Sequence, residues 1–216
     1  RAKIAIVDSG IRAKHPDLNA KVAAQYDFGN RDRVAEDTVG HGTHVAGIAA
    51  ASGGVGTCPG CSILAAKVTG DEGVTYDSAV AEGIVWSADN SADAINVSLV
   101  SPGYSRVLER AVEYAWNGGA LVISAAGNEA TETPMYPAAY GTAVAVAATD
   151  RDDAATDFSS RGDWVDVAAP GRQILSLIPG GGYAYLDGTS MASAYVSGLA
   201  GLLSSQGLPP RTSAIA

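Results

Sequence analysis

The chain has 216 residues and a formal net charge of −9, and 17% of its residues are charged. Typical soluble domains carry about 25% charged residues. The acidic balance argues against nucleic-acid and membrane partners, because both bind clustered lysine and arginine. No apolar run reaches the ~18 residues of a membrane-spanning helix. A chain of this length can form its own core, so we predict one domain over residues 1–216.

Short apolar runs alternate along the chain with stretches of helical periodicity. The runs are typical of strands that are buried on both faces of a parallel sheet; they lie at Lys3–Asp8, Ser62–Val68, Ala94–Leu99 and Ala120–Ser124. Helices are predicted at Tyr76–Ala88, at Ser105–Trp116 and, closing the chain, at Ser190–Ser204. Further strands are predicted in the second half, at Ala143–Ala148, Trp164–Ala168 and Ile174–Ile178. This alternation indicates an α/β fold with a mainly parallel sheet.

Polar residues beside glycines mark three junctions between predicted elements, where an open α/β sheet binds its ligands. Asp8 ends the first strand, and taken alone it is either a loop-capping residue or a functional acid. His41 and His44, two of the three histidines, enter a helix of small residues, and the residues alone do not choose between them. Ser190 begins the closing helix, where the helix dipole favours negative charge, although a simple N-cap is the alternative.

Asp, His and Ser follow one another here in the chain order of a subtilisin-type triad. The chain resembles the subtilase family of serine proteases from Lys3 to about Leu203. The matching segments are Val7-Asp8-Ser9-Gly10, His41-Gly42-Thr43-His44-Val45-Ala46-Gly47, Ala125-Ala126-Gly127-Asn128 and Gly188-Thr189-Ser190-Met191-Ala192. The resemblance implies the three-layer subtilisin-like α/β fold with a mainly parallel central sheet, in a chain that is shortened at both ends relative to the family.

The resemblance also implies a serine endopeptidase that works through an acyl-enzyme intermediate and needs no cofactor for catalysis. It assigns Ser190 as the nucleophile, His41 as general base and acid, and Asp8 as the residue that orients His41. It assigns Asn128 as the side-chain donor to the oxyanion, whereas the residues alone favour a turn at that position. His44 is left as a helix-packing residue.

Members of this family hold an extended polypeptide substrate by strand addition. The matching edges here are Ser98-Leu99-Val100 and Gly73-Val74-Thr75, and Ala125-Ala126-Gly127 would form the floor of the pocket before the scissile bond. The small floor residues suggest a preference for medium-to-large apolar or aromatic side chains. Val100 replaces the family's usual glycine and is expected to reshape this pocket. Asp37 could bias a neighbouring subsite toward basic groups, but a solvated loop charge is the favoured interpretation.

Two further departures from the family bear on mechanism and metal binding. Ala194 replaces a proline in the helix after the nucleophile, which predicts a straighter helix and either a slower hydrolase or one in which amines compete with water. Asp17 matches a ligand of the family's strong calcium site, but the partner loop is reduced to Ser52–Gly56, which has no carboxylate or amide side chain. Because calcium takes six to eight oxygen ligands, we expect that site to be lost or weakened, with structural calcium elsewhere left open.

Cys58 and Cys61 fit a disulfide, two buried thiols or a redox pair. A disulfide is preferred because it suits an exported protein, and a secreted or extracellular location is expected. We also expect a monomer. Besides polypeptide substrates, a propeptide or a protein inhibitor is a candidate partner. The alternatives to proteolysis are a peptide-binding pseudo-protease, a transpeptidase- or ligase-like variant, and a metal hydrolase built on His41 and His44, which lacks the accompanying glutamate.

Overall fold

A seven-stranded parallel sheet forms the middle layer of the computed structural model, which describes residues 1–70 and 72–208. The strand order is β2-β3-β1-β4-β5-β6-β7, and every neighbouring pair is parallel. The strands are β1 (Lys3–Asp8), β2 (Val22–Asp27), β3 (Ser62–Lys67), β4 (Ala94–Val97), β5 (Leu121–Ala125), β6 (Ala143–Thr149) and β7 (Val167–Pro170).

Within residues 1–70 and 72–208, four α-helices cover the two faces of this sheet. Helices α1 (His41–Ala50) and α4 (Thr189–Ser205) lie on one face, and α2 (Asp77–Asp89) and α3 (Arg106–Gly118) lie on the other. Successive side chains of β1 show the division, because Ile4 and Ile6 pack with α1 whereas Ala5 and Val7 pack with α2 and α3. Successive side chains of a strand point to opposite faces of the sheet, and on β1 both sets are apolar. Both faces of the sheet must therefore be covered by helices.

Helices α1 and α4 approach closely because small residues line their contact. A Cβ atom on Gly198 would lie 2.5 Å from the Cβ of Thr57 and 2.8 Å from the carbonyl oxygen of Ala49. Any larger residue at position 198 would push the two helices apart. Since His41 begins α1 and Ser190 lies in the first turn of α4, this packing also fixes the relative positions of two candidate catalytic residues.

A two-stranded antiparallel hairpin, β8 (Ile174–Leu177) and β9 (Tyr183–Leu186), packs against α1. The Ser176 hydroxyl donates to the carbonyl of His44 at 2.7 Å, and the His44 Nε2 lies 3.1 Å from the carbonyl oxygen of Ala184. His44 therefore fastens the hairpin to the helix and is buried, in keeping with a packing residue.

Cys58 and Cys61 form a disulfide in the loop between α1 and β3, with both sulfurs buried in the core beneath α1. The Cys58 amide donates to the carbonyl of Ala49 at 2.9 Å, so the bridged loop is attached to the end of α1. Of the three states that the sequence left open, the structure therefore adopts the disulfide.

The predicted strands are all present, but the sequence missed two and misplaced one. β2 was missed because it is an edge strand whose residues alternate between exposed and half-buried, and β9 because its side chains are largely exposed. The strand predicted at Trp164–Ala168 was wrong in its bounds, since β7 begins only at Val167. Helix α4 continues unbroken past Ala194, as expected without proline. None of the helices in the described residues has the length and apolarity needed to cross a membrane.

The connectivity places a crevice at the carboxyl ends of β1 and β4. From β1 the chain leads outward to β2 and returns through β3, and it then crosses to β4, from which it continues in the opposite direction to β5. Loops that leave adjacent strands in opposite directions open a crevice between them, which is where such sheets bind ligands. Asp8 ends β1 and Ser98 follows β4, so both residues lie at this crevice.

Candidate active site

A short hydrogen bond joins the first two candidate residues. His41 Nδ1 lies 2.8 Å from Asp8 Oδ1, and the same oxygen accepts the backbone N–H of Ser9 at 2.7 Å. The Asp8 side chain is 1% exposed and that of His41 is 30% exposed. The carboxylate is therefore inside the protein and the outer part of the imidazole ring faces solvent, where a substrate would arrive.

Gly42 allows this contact to form, because it is the residue at which α1 passes over the end of β1. A Cβ at position 42 would lie 2.1 Å from the carbonyl oxygen of Gly10 and 3.2 Å from the Asp8 Cβ. Real side chains do not tolerate the shorter distance. The glycine between His41 and Thr43 is thus required for the helix to present His41 to Asp8.

The charge of Asp8 raises the pKa of His41 above its ordinary value of 6.5, and the hydrogen bond between them adds to the effect. Burial opposes the shift, and the nearby carboxylate of Asp37 reinforces it. The pKa of His44 moves the other way, because burial disfavours its charged form. One histidine of the pair is thereby poised to accept a proton and the other is kept neutral.

Ser190 lies in the first turn of α4 and is 6% exposed. Its hydroxyl donates to the carbonyl oxygen of Ser98 at 3.4 Å. In the described part of the chain no hydrogen bond joins this hydroxyl to His41. The structure therefore brings Asp8 and His41 into direct contact and places Ser190 over the neighbouring strand end, with its hydroxyl turned toward β4.

Buried polar side chains support the turn that carries Ser190. The Ser193 hydroxyl donates to the Ser190 carbonyl at 3.0 Å and lies 3.2 Å from the Ser98 hydroxyl. Asn96, which is fully buried in β4, donates from Nδ2 to Ser98 Oγ at 2.7 Å and accepts from the Ser197 hydroxyl at 2.9 Å. These bonds tie the start of α4 to β4 and leave little freedom for its backbone.

Asn128 lies beside the start of α4, held by one end of its side-chain amide. Its Oδ1 accepts the backbone N–H of Thr189 at 2.9 Å and the Thr189 hydroxyl at 3.0 Å. A Cβ on Gly188 would lie 3.5 Å from the Asn128 Nδ2. The Nδ2 group is therefore oriented by its partner oxygen and lies next to the loop that leads into Ser190.

The two predicted substrate edges differ in their hydrogen bonding. Leu99 and Val100 follow β4 and are half-buried, and within residues 1–70 and 72–208 their peptide groups have no backbone hydrogen-bond partner. On the opposite side Gly73 and Val74 are exposed, although the Val74 carbonyl already accepts from the amide of Gly70. The edge at Ser98-Leu99-Val100 therefore retains more free main-chain groups than the edge at 73–75.

The predicted pocket floor is buried and partly bonded to its surroundings. The Ala126 amide donates to the carbonyl of Val146, and the Gly127 amide donates to the Thr189 hydroxyl at 3.0 Å. A Cβ on Gly127 would lie 2.5 Å from a carboxylate oxygen of Glu129. The floor is thus small and apolar, but a negative charge lies beside it.

The interpretation of Asp37 as a solvated loop charge was wrong. Its side chain is buried, at 4% exposed, and accepts hydrogen bonds from residues on both sides of the loop that precedes α1. The reason is that four backbone N–H groups at the start of any helix lack helical partners, and this carboxylate supplies an acceptor for some of them. A carboxylate turned inward in this way also faces away from a substrate subsite.

Asp17 contacts both the hairpin and the shortened loop at Ser52–Gly56, and that loop has no carboxylate or amide side chain to join it as a ligand. Its carboxylate accepts the hydroxyl of Tyr183, and a Cβ on Gly53 would lie 2.4 Å from its Oδ2. In the described residues no group of three or more His, Cys, Asp or Glu side chains is arranged to hold a metal ion.

Sequence reasoning gave no role to three polar residues that the site uses: Ser9, Thr43 and Thr189. Each directly neighbours a glycine or a candidate catalytic residue in the sequence, which is the signal that could have found it. Each connects one of the predicted residues to a neighbouring element, and that connection depends on a three-dimensional contact that the sequence does not display.

Comparison with known proteins places this geometry in a family. The model of the subtilase family matches residues 1–213. Thermitase from Thermoactinomyces vulgaris is 49% identical over 211 residues, which covers 95% of this chain and 76% of thermitase. Subtilisin BL from Lederbergia lenta is 42% identical over 205 residues, with coverage of 93% and 75%.

Solved structures give the same result for the fold. The crystal structure of a cold-adapted subtilisin-like serine proteinase superimposes with a TM-score of 0.93 at 32% identity, covering 99% of this chain and 79% of that chain. The predicted three-layer α/β fold is thereby confirmed, and the pseudo-protease and ligase-like alternatives are not favoured. This chain is a member of the subtilase family, a serine endopeptidase of the subtilisin type.

Proposed function

We propose that Ser190, His41, Asp8 and Asn128 carry the endopeptidase reaction of this subtilase. The observation that supports the assignment most directly is the hydrogen bond between Asp8 and His41 at the crevice between β1 and β4, beside the first turn of α4. Catalytic hydrogen bonds are often long or misaligned before substrate binds, so the hydroxyl of Ser190 bonds to Ser98 at rest and turns to His41 Nε2 on binding.

In the first half of the reaction the Ser190 oxygen attacks the scissile carbonyl carbon as its proton passes to His41. The oxyanion that forms is stabilised by the Asn128 Nδ2 group and by the backbone N–H of Ser190 at the helix N-terminus. Asp8 stabilises the imidazolium. His41 then protonates the leaving amine, the C–N bond breaks, and an acyl-enzyme remains.

In the second half a water molecule attacks the acyl carbon while His41 accepts one of its protons. The tetrahedral intermediate collapses with cleavage of the bond to Ser190 Oγ, and the proton on His41 returns to that oxygen. The peptide acid leaves and the free hydroxyl is restored. No step needs a cofactor, since each proton removed by His41 is returned by it.

We propose that the substrate is a polypeptide in extended conformation, added as a strand along Ser98-Leu99-Val100 with Gly73 and Val74 opposite. The free peptide groups of Leu99 and Val100 support this, because strand addition uses main-chain hydrogen bonds. Ala125, Ala126 and Gly127 would form the floor of the pocket for the side chain before the scissile bond, with an apolar or aromatic preference.

The specificity proposal is tested by cleavage profiling on a peptide library, comparing the parent with Val100→Gly. The parent is expected to favour medium-to-large apolar or aromatic residues before the scissile bond, and Val100→Gly to cleave after the largest aromatic side chains more efficiently than the parent does. A strict requirement for lysine or arginine at this position would indicate that the Glu129 carboxylate determines the specificity of the pocket. That result would contradict the apolar preference.

Calcium, location and partners complete the proposal. We propose that Asp17 does not hold calcium, because its carboxylate already accepts the Tyr183 hydroxyl and the Gly53 backbone lies against it. The Cys58–Cys61 disulfide supports a secreted or extracellular location. A monomer, with a propeptide or a protein inhibitor as further partners, remains our expectation.

Labelling with a fluorophosphonate tests the assignment of the nucleophile. The Ser190 oxygen displaces fluoride from phosphorus, so intact mass spectrometry should show one adduct on the parent and none on Ser190→Ala, with peptidase activity lost in both. Asp150→Asn, which removes a carboxylate that caps an unrelated surface turn, is the control and should label normally. An adduct that persists in Ser190→Ala would refute the assignment.

A further inference from the structure

The buried carboxylate of Asp37 is saturated with hydrogen bonds from neutral donors. Its Oδ1 accepts the amides of Val39 at 3.0 Å and Gly40 at 2.8 Å and the hydroxyl of Ser9 at 3.0 Å. Its Oδ2 accepts the amide of Thr43 at 2.9 Å and the Thr43 hydroxyl at 2.5 Å. In the part of the chain that the structure describes, no lysine or arginine forms an ion pair with it.

These bonds fix the first turn of α1, where His41 is the first helical residue. The N-cap residue Gly40 has no side chain to cap the helix, so Asp37 supplies the acceptor from three residues further back. A carboxylate at a helix N-terminus is favoured both by the orphan amides and by the helix dipole. The position of the His41 backbone is therefore set by Asp37.

Ser9 connects this cap to the catalytic carboxylate. Its hydroxyl donates to Asp37 and accepts the Gly42 amide at 3.0 Å, while its own amide donates to the Asp8 oxygen that bonds His41. Asp37, Ser9, Asp8 and His41 are thus linked in a ring between the end of β1 and the start of α1, which closes through the Gly40 amide that Asp37 accepts and the peptide bond from Gly40 to His41. Ser9 is 4% exposed, so water does not compete for these bonds.

We propose that Asp37 and Ser9 are positioning residues for the reaction: they hold the His41 imidazole in line with Asp8, and Asp37 adds an uncompensated negative charge that favours the imidazolium. The inference rests on the proposed function, in which His41 is the general base. It replaces a subsite role for Asp37, since both of its oxygens are turned inward.

The charged and titratable groups that face His41 are Asp8 from β1 and Asp37 from the loop before α1, with His44 kept neutral one turn along α1 itself. Removal of the Asp37 charge should therefore lower the pKa of His41, whereas removal of the Ser9 hydroxyl should disturb its position and leave the charge in place. Because the two variants are expected to differ in their effect on the His41 pKa, they separate the positioning role from the effect of the Asp37 charge.

The test compares Asp37→Asn, Ser9→Ala and the double variant with the parent, using an extended peptide substrate and active-site titration with a fluorophosphonate. Asp37→Asn should lower kcat at least tenfold, change KM less than twofold, and move the acid limb of the profile of kcat/KM against pH to lower pH. Ser9→Ala should lower kcat several-fold with the acid limb unmoved. Because both act through one ring, the double variant should be no slower than Asp37→Asn.

Because rates are expressed per titrated active site, a loss of activity that arises only from misfolded protein is not counted. If Asp37→Asn does not fold, Ser9→Ala still tests the positioning role. Unchanged kcat and an unmoved acid limb in Asp37→Asn would overturn the proposal. So would a rise in KM confined to substrates with a basic residue near the scissile bond, which is the signature of a subsite. Asp150→Asn, which removes a turn-capping carboxylate elsewhere, should match the parent in every readout.

A measurement that does not depend on turnover separates this inference from the proposed function. The His41 ring can be titrated by NMR in a Ser190→Ala background, with and without Asp37→Asn. A lower His41 pKa in the Asp37 variant supports the inference, and equal values contradict it. Absence of peptidase activity in the parent would count against the proposed function alone.

Discussion

At the scale of single residues, the environment of His41 decides when the site can act. Asp8 raises the pKa of His41 above its ordinary value of 6.5. The neutral imidazole, which can accept a proton from Ser190, therefore predominates only at pH values above this raised pKa. The same shift links pH to stability. A raised folded-state pKa stabilises the fold fully below the unfolded value of 6.5, and this contribution is lost as pH rises through the folded pKa.

Asp8→Asn should therefore change both the rate and its pH dependence. Loss of the carboxylate leaves the imidazole in the wrong tautomer, and we expect kcat to fall about 10⁴-fold, the loss known for other triads. The residual activity should have its acid limb at lower pH than in the parent, because the His41 pKa falls. Stopped assays from pH 5 to 9 measure both effects, and a limb that moved to higher pH would contradict the electrostatic account.

At the scale of elements, the contact between α1 and α4 relates the positions of two proposed catalytic residues. His41 begins the one helix and Ser190 lies in the first turn of the other, so the distance between their side chains depends on how closely the helices cross. Gly198 allows the helices to pack closely at the far end of α1, because it faces Thr57 and the backbone of Ala49 with no room for a Cβ atom.

Gly198→Ala should therefore lower the free energy of unfolding by about 1–3 kcal/mol, as overpacking does, and should slow kcat as α4 moves. Urea unfolding in a Ser190→Ala background measures the stability without autolysis. Gly118→Ala is the matched control: it lies at the end of α3 with open space around it, and alanine there should be neutral or stabilising. Equal stability of the two variants would show that the helix crossing is not tight.

At the scale of the whole molecule, hydrogen bonds and a disulfide join the hairpin and the loop after α1 to the rest of the fold. The hairpin is attached to α1 through His44 and to the segment around Asp17 through Tyr183, and the disulfide fastens the end of α1 to β3. The hydrogen bond from the Tyr183 hydroxyl to the Asp17 carboxylate involves no bound ion. Its strength should therefore not depend on the calcium concentration, as the strength of a metal site would.

The stability of the chain should accordingly be insensitive to calcium at Asp17. In a Ser190→Ala background, the thermal midpoint should be the same in a chelator and in millimolar calcium, whereas Tyr183→Phe should lower it in both. A midpoint that rises with calcium in the parent but not in Asp17→Asn would show that Asp17 binds the ion.

The sequence by itself determined the layered scaffold and the candidates for the triad. Continuous apolar runs such as Lys3–Asp8 can only be buried on both faces, so they indicate a parallel central sheet without any knowledge of contacts. Asp8, His41 and Ser190 each lie within two residues of a glycine at the junction of two elements, and their order along the chain carried the family resemblance. Each of these features involves residues that are close together in the chain, so each can be recognised without knowledge of the fold.

Only the tertiary structure decided the roles of residues whose partners are distant in the chain. From the sequence Asp37 is interpreted as an ordinary loop acid, but in the fold its Oδ1 accepts a hydrogen bond from the hydroxyl of Ser9, which lies 28 residues earlier. The sequence predicted a turn or cap role for Asp17, but only the fold shows that its carboxylate accepts the hydroxyl of Tyr183, 166 residues later. The sequence did not display either contact, because the free energy of a buried polar group depends on which donors the fold brings to it.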